Sequence, residues 1–273
     1  MNRYPVKSCR GESLDSALLE PWGLAGDRRW MVVDDEGVPI TSREIPTMLL
    51  TRAELTSDGL GLSHPDAGEI QVAAGSTLVD VSVWGTPVLA SLADPSANVW
   101  FSRLLGVSAR LVYLDDPTRR PTNPLRTRQS DRVSFADGYP LLVTNEASMD
   151  ALNDLIAAGP LAGEGPLPMT RFRPNVVVRG APAWAEDGWR RIRIGAAQFR
   201  AVKGCDRCVM TTINPDTAAK GKEPIATLAR HRRWDGKTWF GVNLVPDTPG
   251  VRLVVGDEVE ILDAVEDPDG PLR

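Results

Sequence analysis

The residues best equipped for chemistry lie in Gly204-Cys205-Asp206-Arg207-Cys208, which runs into Val209-Met210-Thr211-Thr212-Ile213-Asn214-Pro215. Two cysteines at this spacing can ligate zinc, run thiol–disulfide exchange, or offer one soft thiolate to a metal. A structural zinc site wants four ligands. The only other cysteine is Cys9, and the two histidines, His64 and His231, sit in no ligand-like spacing. A thioredoxin-like pair should open a helix, whereas Thr211-Thr212-Ile213 is β-branched and Pro215 interrupts any helix. A pair of cysteines packed inside a β-structure is the remaining reading, and spacing alone does not choose between it and a thiolate ligand.

Cations gather in two further segments. One begins with Tyr4-Pro5-Val6-Lys7-Ser8-Cys9 and continues at Gly26-Asp27-Arg28-Arg29-Trp30; the other is Arg171-Phe172-Arg173-Pro174-Asn175, leading into three valines. Lys7, Arg28 and Arg173 each adjoin expected strands, where a rigid scaffold can aim them at an anion. Lysine supplies a point charge and arginine a planar fork suited to phosphate. On composition alone the same residues are ordinary strand-end charges that meet Asp27, Asp137 or Glu186.

The elements that must position these groups are mostly short strands. Trp30-Met31-Val32-Val33, the turn Asp35-Glu36-Gly37 and Val38-Pro39-Ile40-Thr41 read as a hairpin, and Asp58-Gly59 marks another turn. Ser82-Val83-Trp84, Ile192-Arg193-Ile194, Leu253-Val254-Val255 and Val259-Glu260-Ile261 are further strands, with Gly256-Asp257 between the last two. Two helices are expected. Asp94 caps the first, with Pro95 in its opening turn, Ala97, Phe101, Leu104 and Leu105 on one face, and Gly106 at its end. Asn145 caps the second, with Met149, Leu152 and Ile156 on one face and Gly159 after its end. The stretch from Asp115 to Arg132 carries three prolines and five arginines without an apolar period, and reads as a solvated linker or long surface loop.

Bulk properties exclude several classes. The 273 residues hold 31 Lys plus Arg against 36 Asp plus Glu, a net charge of −5 that argues against nucleic acid as a partner. No apolar run approaches the ~20 residues that span a bilayer, so no membrane association is expected. Met1-Asn2-Arg3-Tyr4-Pro5-Val6 lacks the apolar stretch of an export signal, which makes the cytoplasm the expected location. Three cysteines, an odd number, speak against a disulfide framework.

Together these segments resemble the MOSC superfamily, in particular members that carry a MOSC N-terminal β-barrel domain. YPVKSCRG, GLAGDRRWMVVD and ITSREIP resemble the N-terminal domain. DGYPLLVTNEAS, RFRPNVVV, Glu186-Asp187-Gly188-Trp189, CDRCVMTTINPDT, KEPIATL, WFGVNL and VGDEVEI resemble the MOSC domain, in the family's order. The resemblance implies a mainly β fold with a few helices: an N-terminal β-barrel-like domain over 1–115, a linker over 116–132, a MOSC β-barrel domain over 133–265 and a tail over 266–273. Within the superfamily the chain resembles the mitochondrial amidoxime-reducing components and bacterial reductases of N-hydroxylated bases.

That likeness carries roles onto particular residues. Cys208 falls on the family's protein ligand to molybdenum and is thus the expected metal ligand and catalytic residue. Lys7, Ser8, Arg28, Arg173 and Asn175 fall on residues that hold the molybdenum–pterin cofactor, Gly138 and Tyr139 on positions lining the pterin pocket, and Asn243 on a further pocket position. Arg207 is expected to support the Cys208 thiolate, Cys205 to be a packed thiol, and Cys9 to have no role. The implied activity is reduction of N-hydroxylated or N-oxide small molecules by electrons from an external donor such as a ferredoxin or flavin reductase. No iron–sulfur cluster or pyridoxal phosphate is expected in this chain. A carrier of molybdenum cofactor or of sulfur, without turnover, is the alternative. Asn214 and Ala218 depart from the pattern, standing where relatives often have Asp and Gly.

Overall fold

A computed structural model describes the whole chain, residues 1–273. The strand Trp30–Val33 is buried at all four positions, because successive side chains point to opposite faces and each face meets a different core. Trp30 and Val32 enter a core of 16 residues, while Met31 and Val33 enter one of nine. The strand lies at the edge of an antiparallel sheet whose order is Trp30–Val33, Arg110–Tyr113, Thr86–Ala93, Ala74–Val83. The expected hairpin partner Val38–Thr41 forms no strand. It makes one bridge, Val33 to Pro39, and proline has no N–H with which to extend the ladder. A three-stranded meander, Arg52–Thr56, Gly59–His64 and Gly68–Val72, closes the first core with helix α1 (Pro95–Leu105). Asp94 accepts from the Ser96 N–H at the start of α1, and Gly106 ends it in the left-handed region, as the capping residues require.

The C-terminal half is built on a sheet ordered Val176–Val178, Leu141–Asn145, Lys237–Pro246, Ala197–Asp206, Trp189–Ile194, Val259–Ala264. Only Leu141–Asn145 and Val176–Val178 pair in parallel, which needs a crossover, and helix α2 (Glu146–Ala157) lies in it. Met149, Leu152 and Ile156 of α2 pack with Phe172, Leu228 and Phe240, and the Phe172 and Phe240 rings stack at 3.9 Å. No helix is long and apolar enough to cross a membrane.

The N-terminal segment is woven into both halves. Val6 bridges Trp30 and sits in the first core. Further on, Ser16–Glu20 pairs with Arg252–Val254, and Ala17 and Leu19 enter the C-terminal core beside Leu141 and Leu244. Lys7 and Ser8 lie where this segment passes from one core towards the other. The arginine-rich stretch is not solvated throughout: Arg120 is buried and donates to the carbonyls of Ser134, Ala136 (2.6 Å) and Asp137 (3.3 Å). Burial lowers its guanidinium to about 10. A guanidinium can satisfy several backbone acceptors at once, and here it fixes the segment that leads to Gly138 and Tyr139.

Candidate functional site

Lys7, Ser8, Arg28, Gly138, Tyr139, Arg173, Asn175, Arg207, Cys208 and Asn243 all line one cleft of about 120 Å3 between the two halves of the chain. Six cations line it, with Arg43 and Arg171 joining the four expected ones, against the two carboxylates Asp137 and Asp206. A local excess of four positive charges in a chain of net charge −5 marks the cleft as an anion site.

Backbone strain concentrates here. Ser8, Arg28 and Arg173 each adopt a left-handed conformation, with φ of 68°, 47° and 55°. Non-glycine residues rarely take it, and each instance costs on the order of 1 kcal/mol, so surrounding contacts must hold it. At Arg28 those contacts are backbone hydrogen bonds on both sides: its N–H donates to Tyr4 O (2.7 Å) and its carbonyl accepts from the Phe135 N–H (2.8 Å). At Arg173 the stacked Phe172 anchors the preceding residue.

The cations are held by groups that leave part of each donor set free. Arg28 Nη1 donates to the buried Asp27 carboxylate (2.7 and 2.9 Å) and to Asn175 Oδ1 (3.1 Å), and Nη2 to Arg173 O (3.2 Å). Arg173 Nη1 donates to Cys9 O (2.7 Å), and both guanidinium carbons lie 4.2 Å from the Tyr4 ring centroid. Burial, with Arg28 alongside, lowers Arg173 to about 10. Asn175 is buried, and its Oδ1 also accepts from the Leu142 N–H while Nδ2 donates to Asn2 O (3.3 Å). It therefore acts on the cleft by aiming Arg28. Asn243 Nδ2 likewise donates to Gly204 O (3.2 Å). At Gly138 a side chain would meet nothing within 4 Å, so its backbone borders open space.

Lys7 is buried and donates to Phe135 O (2.9 Å) and to Asp137 Oδ1. Burial lowers its ammonium to about 8, with Asp137 opposing the shift. Asp137 also accepts from Arg43 (3.3 Å). Lys7 and Arg43 beside it hold the carboxyl well below the usual range. The ordinary pairing anticipated for strand-end cations is thus present at Lys7–Asp137 in the cleft and at Arg28–Asp27 behind it.

The cysteines separate cleanly. Cys205 and Arg207 lie two residues apart on extended backbone and share a face, so Arg207 Nη1 donates to Cys205 Sγ (2.7 Å) and Nη2 to Phe172 O (2.7 Å). Burial raises the Cys205 thiol. Cys208 opens the 3-10 turn Val209–Thr212 and turns away, leaving its thiol exposed. The expected support of Cys208 by Arg207 is therefore not what the structure shows; Arg43 Nε donates to Cys208 Sγ instead (3.4 Å). Cys9 is buried and its thiol is pushed up to about 12, so only its carbonyl serves the site.

Arg43, Asp137 and Arg171 were not among the expected site residues. Arg43 carried one legible signal, the Thr41-Ser42-Arg43-Glu44 capping pattern, and Glu44 Oε2 does accept from the Thr41 N–H (2.9 Å) and hydroxyl (2.6 Å). Nothing local in the sequence marks Arg171 apart from its nearness to Arg173.

Comparison with known proteins agrees with this organisation. The MOSC N-terminal beta barrel domain matches residues 1–108 and the MOSC domain residues 130–260. The mitochondrial amidoxime-reducing component 1 of Mus musculus is 33% identical, covering 95% of this chain and 80% of that protein. That of Homo sapiens is 31% identical, covering 95% and 81%. The molybdenum cofactor sulfurase of Oryza sativa subsp. japonica is 34% identical over 88% of this chain but only 31% of that longer protein. The chain belongs to the MOSC family, among the members in which a MOSC N-terminal β-barrel domain precedes the MOSC domain.

Proposed function

We propose that this protein is a molybdenum-cofactor-dependent reductase of N-hydroxylated or N-oxide small molecules, supplied with electrons by an external donor. The observation that carries the reading is the convergence of one exposed thiol, Cys208, with six cations on a single cleft. Relatives named for amidoxime reduction, and one named a molybdenum cofactor sulfurase, give that convergence its chemical sense. Names that describe a reduction favour turnover over the storage of cofactor.

The donor set fits a group with a soft metal at one end and a phosphate at the other. Cys208 offers a thiol, which as thiolate is a soft ligand. Arg171 Nε and Arg207 Nε are buried without a partner, and both residues line the cleft. Unpaired buried donors are costly, so a ligand that accepts from them removes a penalty of roughly 1–3 kcal/mol each. The cleft is smaller than the ~300 Å3 of a typical ligand pocket. Asp137, its side chain 62% exposed, bridges Lys7 and Arg43 across it. An anionic ligand takes the place of that carboxylate on both cations.

In this reading Cys208 binds the metal. Lys7, Ser8, Arg28, Arg173 and Arg207 hold the anionic end, and Gly138, Tyr139 and Asn243 border the pterin. When bound, the molybdenum cofactor supplies the two-electron, oxygen-accepting chemistry. The chain supplies placement. Arg28 is aimed by Asp27 and Asn175, Arg173 by Cys9 O and Arg207 by Phe172 O, so binding meets cations already oriented. Lys7 keeps its proton at neutral pH. The expected cytoplasmic location stands beside relatives named as mitochondrial.

The test is metal analysis by mass spectrometry of protein made in a cofactor-competent host, followed by turnover of an N-hydroxylated compound with a chemical reductant. Molybdenum bound in equimolar amount with turnover is the expected result. Metal-loaded but inert protein would overturn the reductase, and protein without molybdenum would overturn the whole reading.

A further inference from the structure

The longest hairpin of the N-terminal half, Ala74–Val83 with Thr86–Ala93, ends in a turn formed by Trp84 and Gly85. Both turn residues have positive φ, 52° and 81°, which is the type I′ geometry. Asn-Gly or Gly-Gly suits such a turn, and a bulky aromatic at its first position is strained. Trp84 does not repay that strain by packing into a core, because it is 54% exposed. Its ring instead lies against the mouth of the cleft, 4.5 Å from the Arg43 guanidinium and 5.3 Å from Lys7 Nζ. The same Arg43 reaches Cys208 Sγ, so a single guanidinium separates the ring from the sulfur.

A second cavity, of about 480 Å3, lies beside this ring and shares Asp137, Gly138 and Tyr139 with the cleft. Its volume falls within the range of small-molecule pockets. Arg120 on its wall is engaged by the Ser134 and Ala136 carbonyls, and in this structure Asp137 is held by Lys7 and Arg43. What it offers a ligand is the aromatic rings of Trp84 and Tyr139 with the neutral amide of Asn123.

We infer that Trp84 and Tyr139 form a subsite for the flat, uncharged ring of the substrate, which places the attached N–O group past Arg43 towards Cys208. This rests on the reductase reading and adds to it the residues that would discriminate ring-bearing substrates from aliphatic ones. Trp84 is a specificity-determining residue of the subsite, and a ring of opposite shape or a short aliphatic chain forgoes the contact. Ring-on-ring contact of this kind is worth about a tenfold difference in affinity.

The informative variant is Trp84→Asn, because Asn-Gly is the favoured type I′ pair and the hairpin keeps its turn while losing the ring. With loaded enzyme and a chemical reductant, the ratio of kcat/KM for benzhydroxamic acid over acetohydroxamic acid should fall about tenfold in the variant, through KM rather than kcat. With metal-free protein, titration by NMR should show benzamide binding to the wild type and binding about tenfold more weakly to Trp84→Asn. An unchanged substrate ratio, or benzamide binding that the variant leaves intact, would overturn the subsite. If the wild type reduces neither hydroxamic acid, the reductase reading falls while the benzamide titration still decides the subsite; no binding by the wild type would overturn it.

Discussion

Arg207 reaches back to Cys205, donating from Nη1 to its sulfur at 2.7 Å, and leaves the Cys208 thiol exposed to the cleft. The two sulfurs of one short segment thus live in different surroundings. One is half-buried, raised and occupied by a guanidinium; the other faces the space that six cations surround. Replacement should separate them. Cys208→Ala should abolish turnover and change the metal's surroundings as read by X-ray absorption. Cys205→Ala removes only a supporting contact to Arg207, so activity should fall by no more than about 10–100-fold. The reverse pattern would assign the ligand to the wrong cysteine.

The Lys7–Asp137 pair gives a prediction about anions that needs no cofactor. Sulfate, whose charge is constant above neutral pH, should bind metal-free protein in the cleft and be measurable by calorimetry. Asp137→Asn removes the carboxylate that competes for Lys7 and Arg43, so sulfate affinity should rise about tenfold, the worth of one charge-assisted contact. Lys7 titrates at about 8 in the folded protein, below its ordinary value, so burial disfavours its charged form. The stability contribution is therefore full above the unfolded value and is lost as pH falls through about 8, whereas anion affinity runs the opposite way. Sulfate binding to the wild type should weaken as pH rises through about 8. An affinity flat across that window, or weaker binding by Asp137→Asn, would remove the pair from the anion site.

Much of this was legible from local sequence, for identifiable reasons. Both α1 and α2 begin at the residues whose side chains cap them, Asp94 and Asn145, because capping is decided within three residues. The cleft residues that carry a family pattern, such as Lys7, Arg173 and Cys208, come together although they lie far apart in sequence. Partnerships that depend on the crossing of the two halves were not legible. Arg43 faces Cys208 across 165 positions, and Arg120 is drawn inside by carbonyls that a run of arginines gives no hint of. Arg207 was paired with the wrong sulfur for a different reason. Adjacency in sequence suggested Cys208, while extended backbone puts residues two apart on one face.

Glu186 offers a test of stability apart from the cleft. It is buried, and burial raises its carboxyl to about 7, with Ser148 Oγ donating to Oε2 (2.8 Å) and opposing the rise. A group raised on folding contributes stability fully below its unfolded value, and that contribution is lost as pH rises through the folded one. Between about pH 5 and about pH 8 the wild type should lose about 2 kcal/mol through this residue. Glu186→Gln should not, so denaturant titrations of the two proteins should diverge over that window. Asp187 is also raised by burial but pairs with Arg232 (2.5 Å) in both proteins, and so cancels from the difference. Parallel stability curves would show that Glu186 is ionised in the fold at neutral pH.

Ala218 stands where the family resemblance implies a glycine, and the structure supplies a physical reason for a glycine there. Its φ is 59°, in a tight loop where its N–H donates to Asn214 O (2.8 Å) and the Asn214 N–H donates to Ala219 O (2.8 Å). These two bonds close the loop on itself and leave the backbone no room to relax into a right-handed conformation. A Cβ in this region costs roughly 1–2 kcal/mol against glycine. Glycine in turn gives the unfolded chain more freedom, which costs about 0.4–1 kcal/mol. The first term is the larger, so Ala218→Gly should stabilise the protein by about 0.5 kcal/mol and raise its thermal midpoint by roughly 1–2 °C. A lower midpoint would mean that the loop does not hold Ala218 in the left-handed region in solution.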